Sequence, residues 1–257
     1  MRVYQTEKRV ILVSVLISVA VFVLAAVFWK GPDESELVED HSLKDTAESS
    51  VTQLPESANP VVVCLGDSYT YGYPDKEDTS WPKYMEEVLG SGVDIVNAGK
   101  VKQTSKDLLE RFVSDVAERQ GRKANMVIIF AGMGDALNDP PILLTDFQEN
   151  ISQMVDKAKN RDITPVLVMP FLYPDKDKQE YIDQYRRWLT TFAESEAETE
   201  SETEPEANLV RLVDIQGMLC DEQGIKKQYT DNGKYPNHDG YKAMGKYIAE
   251  QVKDKIA

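Results

Sequence analysis

Five short apolar runs, mostly β-branched, recur after residue 60, and segments with helical spacing separate them. The runs are Val61–Leu65, Val93–Val96, Met126–Phe130, Pro165–Met169 and Leu209–Val213. The helical segments are Trp81–Leu89, Ser105–Arg119, Leu144–Lys159, Lys178–Phe192 and Asp239–Ile256. Buried strands that alternate with helices form right-handed βαβ units. The pattern therefore predicts an α/β fold, a three-layer sandwich whose five-stranded, mostly parallel sheet is buried on both faces by helices.

The carboxyl ends of these strands are the first place to look for function. In open parallel sheets, ligands bind in the crevice beyond the carboxyl ends of the strands. Functional residues are therefore expected just after Leu65, Val96, Phe130, Met169 and Val213.

An uncharged apolar run over residues 10–29 precedes this pattern. About 20 such residues make a helix long enough to cross about 30 Å of hydrocarbon. The alternative, a cleaved secretory signal, has an apolar core of about 7–15 residues and a small-x-small cleavage site, whereas this run ends Ala-Val-Phe-Trp. The basic flank of residues 1–9 predicts a cytoplasmic tail. We therefore expect a single-pass membrane protein whose main domain lies outside the cytoplasm.

Two acidic tracts have too few apolar residues to form a core. Residues 30–59 are rich in Glu, Asp, Ser and Thr, which predicts a disordered linker. Residues 194–207 alternate Glu with Ser, Thr or Ala, and we expect an extended, solvated loop there. The folded domain is accordingly predicted over residues 60–257.

The formal net charge of -15 excludes the usual means of binding nucleic acid, because that affinity depends on Lys and Arg that neutralise phosphates. The two cysteines, Cys64 and Cys220, have no partner at zinc-finger spacing. Nothing in the sequence indicates a metal site or a cofactor.

Four short motifs stand where the strand pattern expects function. They are Gly66-Asp67-Ser68, Val-Asn-Ala-Gly at 96–99, Gly-Met-Gly-Asp at 132–135, and Tyr-Pro-Asn-His-Asp-Gly-Tyr at 235–241. In order and spacing they resemble the blocks of the SGNH hydrolases, also called GDSL-type esterases, over nearly all of residues 60–257. The resemblance implies a flavodoxin-like sheet and a serine esterase that acts on lipids or O-acetylated glycans.

The resemblance also implies a role for each block. The family's serine attacks the ester carbonyl, a histidine takes the serine proton, and an aspartate three residues earlier orients that histidine. The oxyanion is held by the serine N–H, by a glycine N–H from the second block and by an asparagine side chain from the third. Ser68 matches the nucleophile and oxyanion serine. Lys102 stands at the oxyanion glycine, with only its backbone N–H to offer.

Three family positions are substituted in this chain. Gly134 stands where the asparagine donor belongs, Tyr235 where the histidine belongs, and Asn232 where the aspartate belongs. Tyrosine, with a pKa of about 10, is a poor general base at neutral pH. The chain has two histidines, and His41 falls in the predicted linker. His238 is thus the candidate for a displaced base, with Asp231 or Asp239 to orient it; alternatively, it is a surface histidine at a helix start.

Two functions remain open at this point. The domain is either an envelope esterase with Ser68 as nucleophile and a rearranged base, or a catalytically impaired relative that keeps the cleft for binding or as a scaffold. The expected partners are the membrane, through residues 10–29, and an ester-bearing lipid or an acetylated glycan. A third chemistry based on Tyr235 and Lys102 has only their positions in its favour.

Overall fold

A computed structural model describes residues 59–75, 79–200 and 210–256, all within one compact unit over Pro55–Ala257. The predicted tail (1–9) and membrane helix (10–29), and the linker up to residue 58, lie outside the described residues. No helix in the described ranges has both the length and the apolar composition needed to cross a bilayer.

The main sheet has five parallel strands in the order β2-β1-β3-β4-β5, so the predicted five-stranded parallel sheet is confirmed. Its strands are β1 (Val61–Gly66), β2 (Asp94–Gly99), β3 (Met126–Phe130), β4 (Thr164–Val168) and β5 (Arg211–Val213). A small antiparallel pair, β6 (Cys220–Asp221) and β7 (Gly224–Ile225), was not predicted. β1 and β3 are buried throughout, whereas β2 is half-buried over residues 94–97 because it lies at the sheet edge.

Eight α-helices surround the sheet in the described residues. They are α1 (Ser68–Tyr71), α2 (Trp81–Leu89), α3 (Ser105–Glu110), α4 (Met133–Leu137), α5 (Leu144–Lys159), α6 (Lys176–Glu200), α7 (Gln216–Leu219) and α8 (His238–Val252). Seven of them form two groups: α8 contacts α2 and α7, and α3 to α6 contact one another. Two such groups are expected when a parallel sheet is covered on both faces.

Two segments differ from their predicted structure. The segment predicted as one helix over Ser105–Arg119 is an α-helix only to Glu110, and a π-helical turn follows over Val113–Ala117. The Ser114 hydroxyl there donates to the Arg111 carbonyl, which competes with regular helical bonding. The acidic tract predicted as a loop over 194–207 is helical to Glu200, because Glu and Ala favour helix and Glu196 forms an ion pair with Lys159.

The topology puts one crevice at the carboxyl end of β1. This strand has β2 on one side and β3 on the other. The longer helix that follows it, α2, belongs to one group of helices, and the helices that follow β2 and β3 belong to the other group. The turns after β1, β2 and β3 therefore meet at one place, and the first three sequence motifs lie in these turns or in the strand ends that lead into them.

Candidate active site

Ser68 is the first residue of the short helix α1, directly after β1. Asp67 is the N-cap, and its side chain accepts a hydrogen bond of 2.9 Å from the Tyr69 N–H. Gly72, at φ 98°, ends the helix and donates its N–H to the Ser68 carbonyl. The turn thus fixes the serine at the carboxyl end of β1.

The loop after β2 brings Lys102 to Ser68. The Lys102 backbone N–H donates to Ser68 Oγ at 2.9 Å. Lys102 has φ 63°, in the left-handed region that costs a side-chain-bearing residue about 1 kcal/mol or more. This conformation explains why the family pattern has glycine at this position. Lys102 adopts this strained conformation, and its backbone N–H still lies where an oxyanion donor is needed.

Gly134, on α4, lies against the same loop. A Cβ at this position would be 2.0 Å from the Gln103 carbonyl oxygen, so the loop occupies the space in which an asparagine side chain would begin. Asn138 does not replace the missing donor, because its side-chain amide donates to the Pro140 carbonyl. The third oxyanion donor of the family pattern is therefore absent at its own position.

Two buried carboxylates support these turns. Asp67 accepts the Gly134 N–H at 2.6 Å, and Asp135 accepts both the backbone N–H and the hydroxyl of Ser105. Burial raises the pKa of Asp67 to about 7, although the N–H groups of Tyr69 and Gly134 oppose this, and Asp135 adds to the increase. Burial likewise raises the pKa of Asp135.

Arg111 connects the turn after β1 with the loop after β2, and sequence reasoning missed it. Its buried guanidinium donates to the Gly66 carbonyl at 3.0 Å, to the Gln103 side chain at 2.6 Å and to Asp115 at 2.7 Å. The sequence does contain an indication of this role, because Arg111 lies on the apolar helical face that Leu108 and Phe112 define. A charged residue on such a face needs partners in the interior.

Tyr235 belongs to a row of aromatic rings that includes Tyr69, the residue after Ser68. Its ring lies 5.0 Å from that of Tyr69 and 4.8 Å from that of Tyr73, between centroids. Burial raises the pKa of Tyr235, and the nearby Tyr173, Tyr73 and Asp67 raise it further. Near neutral pH the side chain therefore remains a protonated phenol even more completely than a free tyrosine does, so it cannot serve as a general base.

Asn232 has a local role in the loop before α8. Its side-chain oxygen accepts the backbone N–H groups of Lys234 and Tyr235, both at 2.9 Å. This is the turn chemistry typical of asparagine. The side chain shapes the loop on which Tyr235 lies.

His238 begins α8 and contacts α2. Its Nδ1 lies 2.9 Å from the Tyr84 hydroxyl, and the two rings meet edge to face at 5.4 Å. Within the described ranges, neither Asp231 nor Asp239 hydrogen-bonds to the imidazole, and Lys102 is the hydrogen-bond partner of the Ser68 side chain. The structure thus joins Ser68 and Lys102 and pairs His238 with Tyr84.

A serine whose hydroxyl meets a backbone N–H, at the carboxyl end of the first strand of a 2-1-3-4-5 sheet, is the arrangement typical of acyl-transfer enzymes with this sheet. The model of the GDSL-like lipase/acylhydrolase family matches residues 64–243, a span that contains all four motifs. The chain belongs to this family.

Similar proteins agree with this family membership. A solved structure assigned to the lipolytic G-D-S-L family, from Desulfitobacterium hafniense, is 32% identical, with a TM-score of 0.63 over 75% of this chain and 99% of that chain. The thioesterase 1/protease 1/lysophospholipase L1 of Escherichia coli is 21% identical over 78% of this chain and 86% of its own length. The lipoprotein YqeF of Bacillus subtilis is 26% identical over 49% of this chain, a match that spans 55% of that protein.

Proposed function

We propose that this GDSL-family domain binds an ester- or acyl-bearing ligand at Ser68 and hydrolyses it poorly or not at all. The observation that carries this proposal is the hydrogen bonding of Ser68. Among the described residues its hydroxyl meets a donor, the Lys102 N–H, and no side chain that could accept its proton. A serine without a base is a weak nucleophile.

The expected loss of rate is large. A positioned general base contributes about 10²–10⁴-fold, and one oxyanion donor about 10²–10³-fold. The base position holds Tyr235 and the donor position holds Gly134, so both contributions are lost. What remains are the backbone N–H groups of Ser68 and Lys102, which suit binding of a carbonyl oxygen.

The second candidate function is ester hydrolysis of a lipid or an O-acetylated glycan. It is favoured by the intact Ser68 turn and by the 2.9 Å bond from the Lys102 N–H. It requires a conformation in which His238 leaves Tyr84, or a base from outside the described residues.

Labelling by a fluorophosphonate probe and turnover of an acetyl ester separate the two functions. We expect the wild-type protein to show little of either, with Ser68→Ala as the control that defines the background. The double change Asn232→Asp with Tyr235→His restores the family's pair and should raise turnover about 10²-fold above that background. Strong wild-type labelling that Ser68→Ala removes would refute the binding proposal.

We also propose that the chain is anchored in the cell membrane by residues 10–29, with its main domain outside the cytoplasm. The support is the length of the uncharged run and the basic residues before it. Protease added to intact cells should then degrade the domain. Full protection, with degradation only after lysis, would reverse this topology.

A further inference from the structure

A cavity of about 470 Å³ lies at the carboxyl end of β4. It is bounded by the loop before α6, the first turns of α6 and the β6–β7 hairpin. The side chains that matter below are Tyr173, Lys176, Gln179, Glu180, Asp183 and Glu222. Its volume is within the range of about 300–1,000 Å³ typical of small-molecule sites.

The chain segment that leads into the cavity lining also contacts the residue after Ser68. The ring of Phe171, two residues before Tyr173, meets the Tyr69 ring edge to face at 5.3 Å between centroids. Consistent with this, Tyr173 raises the pKa of the Tyr69 and Tyr235 hydroxyls, after the larger effect of burial. Tyr69 follows Ser68 in the chain, and its ring contacts Tyr235. A ligand that lies against Tyr173 can therefore extend toward Ser68.

The polar side chains of the cavity are partly fixed in position. Gln179 accepts the Tyr173 backbone N–H at 2.7 Å and donates to Asp183 at 2.6 Å. Within the described residues Lys176, Glu180 and Glu222 have no hydrogen-bond or ion-pair partner. The cavity wall thus has hydrogen-bond acceptors around the Tyr173 ring, some of them held in position and some without a partner. It also has one ammonium donor, that of Lys176.

This lining selects among ligand classes. A hydrocarbon chain would remove charged groups from water without replacing their hydrogen bonds, which is costly. An anionic ligand would meet three carboxylates and a single ammonium. Sugar hydroxyls and amines satisfy such acceptors, and an apolar sugar face can pack on an aromatic ring.

We infer that this cavity is a subsite for one or two rings of an uncharged or amine-bearing saccharide, with Tyr173 as the ring on which a sugar packs. The inference rests on the proposed function, because the Ser68 site would hold an acyl substituent of the same ligand. It favours a glycan over a lipid as that ligand.

Calorimetric titration of the full-length protein in detergent tests the subsite directly. The probes are the β-1,4 tetramers of glucosamine and of N-acetylglucosamine, with an anionic hyaluronan tetrasaccharide as the contrast. We expect both tetramers to bind and the hyaluronan fragment to bind at least about 10-fold more weakly. Absence of binding by both tetramers at millimolar concentration would overturn the inference.

Variants of the cavity locate the binding. Tyr173→Ala should raise the Kd about 10-fold, whereas Tyr173→Phe keeps the ring and should change it little. The pair Glu180→Gln with Glu222→Gln changes exposed side chains, so the fold should persist, and it should weaken mainly the glucosamine tetramer. Glu118→Gln is the control. Glu118 lies on the connection between β2 and β3, away from the cavity, so this change should leave saccharide binding unchanged.

The results distinguish this inference from the proposed function. Saccharide binding that is indifferent to Tyr173→Ala and to the double glutamate change would refute the subsite, whatever Ser68 does. Efficient ester turnover by the wild-type protein would refute the non-hydrolytic function while the subsite stands.

Discussion

The two halves of the candidate site differ in what holds their residues in place. The Ser68 half consists of Asp67, Ser68, Lys102, Arg111 and Gly134, and buried charges and backbone packing fix it. The Tyr235 half is the loop 230–238. Hydrogen bonds within its own turn and a partly exposed row of aromatic rings hold this loop together. We therefore expect replacement of Asp67, Arg111 or Gly134 to disturb the fold, and substitutions in the second half to cost less stability. The oxyanion side of the chemistry is thus built into the fold, and the proton-transfer side is not.

The largest expected difference between the halves is a dependence of stability on pH that arises from Asp67. Its pKa is about 7 in the folded protein and about 3.9 in an unfolded chain. Between these values the folded state holds a proton that the unfolded state has lost. The free energy of unfolding should therefore fall as pH rises from about 4 to about 7, by up to about 4 kcal/mol, and then level off.

Urea denaturation across pH 4–9 measures this effect. Asp67→Asn cannot ionise, so its profile should be flatter, even if loss of the Gly134 hydrogen bond lowers stability at every pH. Asp135 contributes in the same direction and should leave a residual slope. An unchanged slope in Asp67→Asn would show that the carboxyl titrates near its ordinary pKa.

Arg111→Met should destabilise the protein by about 2 kcal/mol, because it removes the donor to the Gln103 side chain and one of the two donors to Asp115 and to the Gly66 carbonyl. Lys100 remains the second donor to both of these acceptors. The control is Lys106→Met on the same helix, whose side chain is 72% exposed and whose loss should cost well under about 1 kcal/mol. If both changes lowered the free energy of unfolding equally little, Arg111 would not be one of the residues that hold the Ser68 half in place.

Gly134→Ala should cost about 2 kcal/mol, because the added methyl group would overlap the Gln103 carbonyl oxygen, 2.0 Å away. Gly92→Ala is the matched control, since a Cβ there meets nothing within 4 Å. The same overlap argues against Gly134→Asn as a way to restore the family's oxyanion donor. Normal stability of Gly134→Ala would mean that the loop after β2 moves easily.

Periodicity alone predicted much of the fold. The bounds of α2, β3 and α5 agree with the predicted Trp81–Leu89, Met126–Phe130 and Leu144–Lys159. These elements have their apolar residues on one face or in one buried run. The helical conformation of residues 194–200 was not predicted. These residues extend α6, and the extension depends on the rest of that helix and on an ion pair with Lys159, which is distant in the sequence.

The site was less predictable, because its decisive contacts are tertiary. The Gly-Asp-Ser motif indicated Ser68, and the spacing of the second block indicated Lys102. Nothing local shows that the Gln103 carbonyl fills the space beside Gly134, or that His238 faces Tyr84 from another helix. Such contacts follow from how helices and loops pack after the sheet has formed.

The smallest expected effect concerns His238, and it tests whether this histidine belongs to the chemistry at all. His238→Ala removes one partly buried hydrogen bond and one ring contact with Tyr84, which should cost about 1 kcal/mol. Tyr84→Phe removes the hydroxyl alone and should account for part of that loss.

In the Asn232→Asp, Tyr235→His background, adding His238→Ala should leave the restored ester turnover unchanged, because the base is then at position 235. If His238→Ala instead abolished turnover or fluorophosphonate labelling while urea denaturation showed an intact fold, the imidazole must reach Ser68 in the working protein. The loop 230–238 would then be part of a catalytic machinery, and the contrast between the two halves would fail.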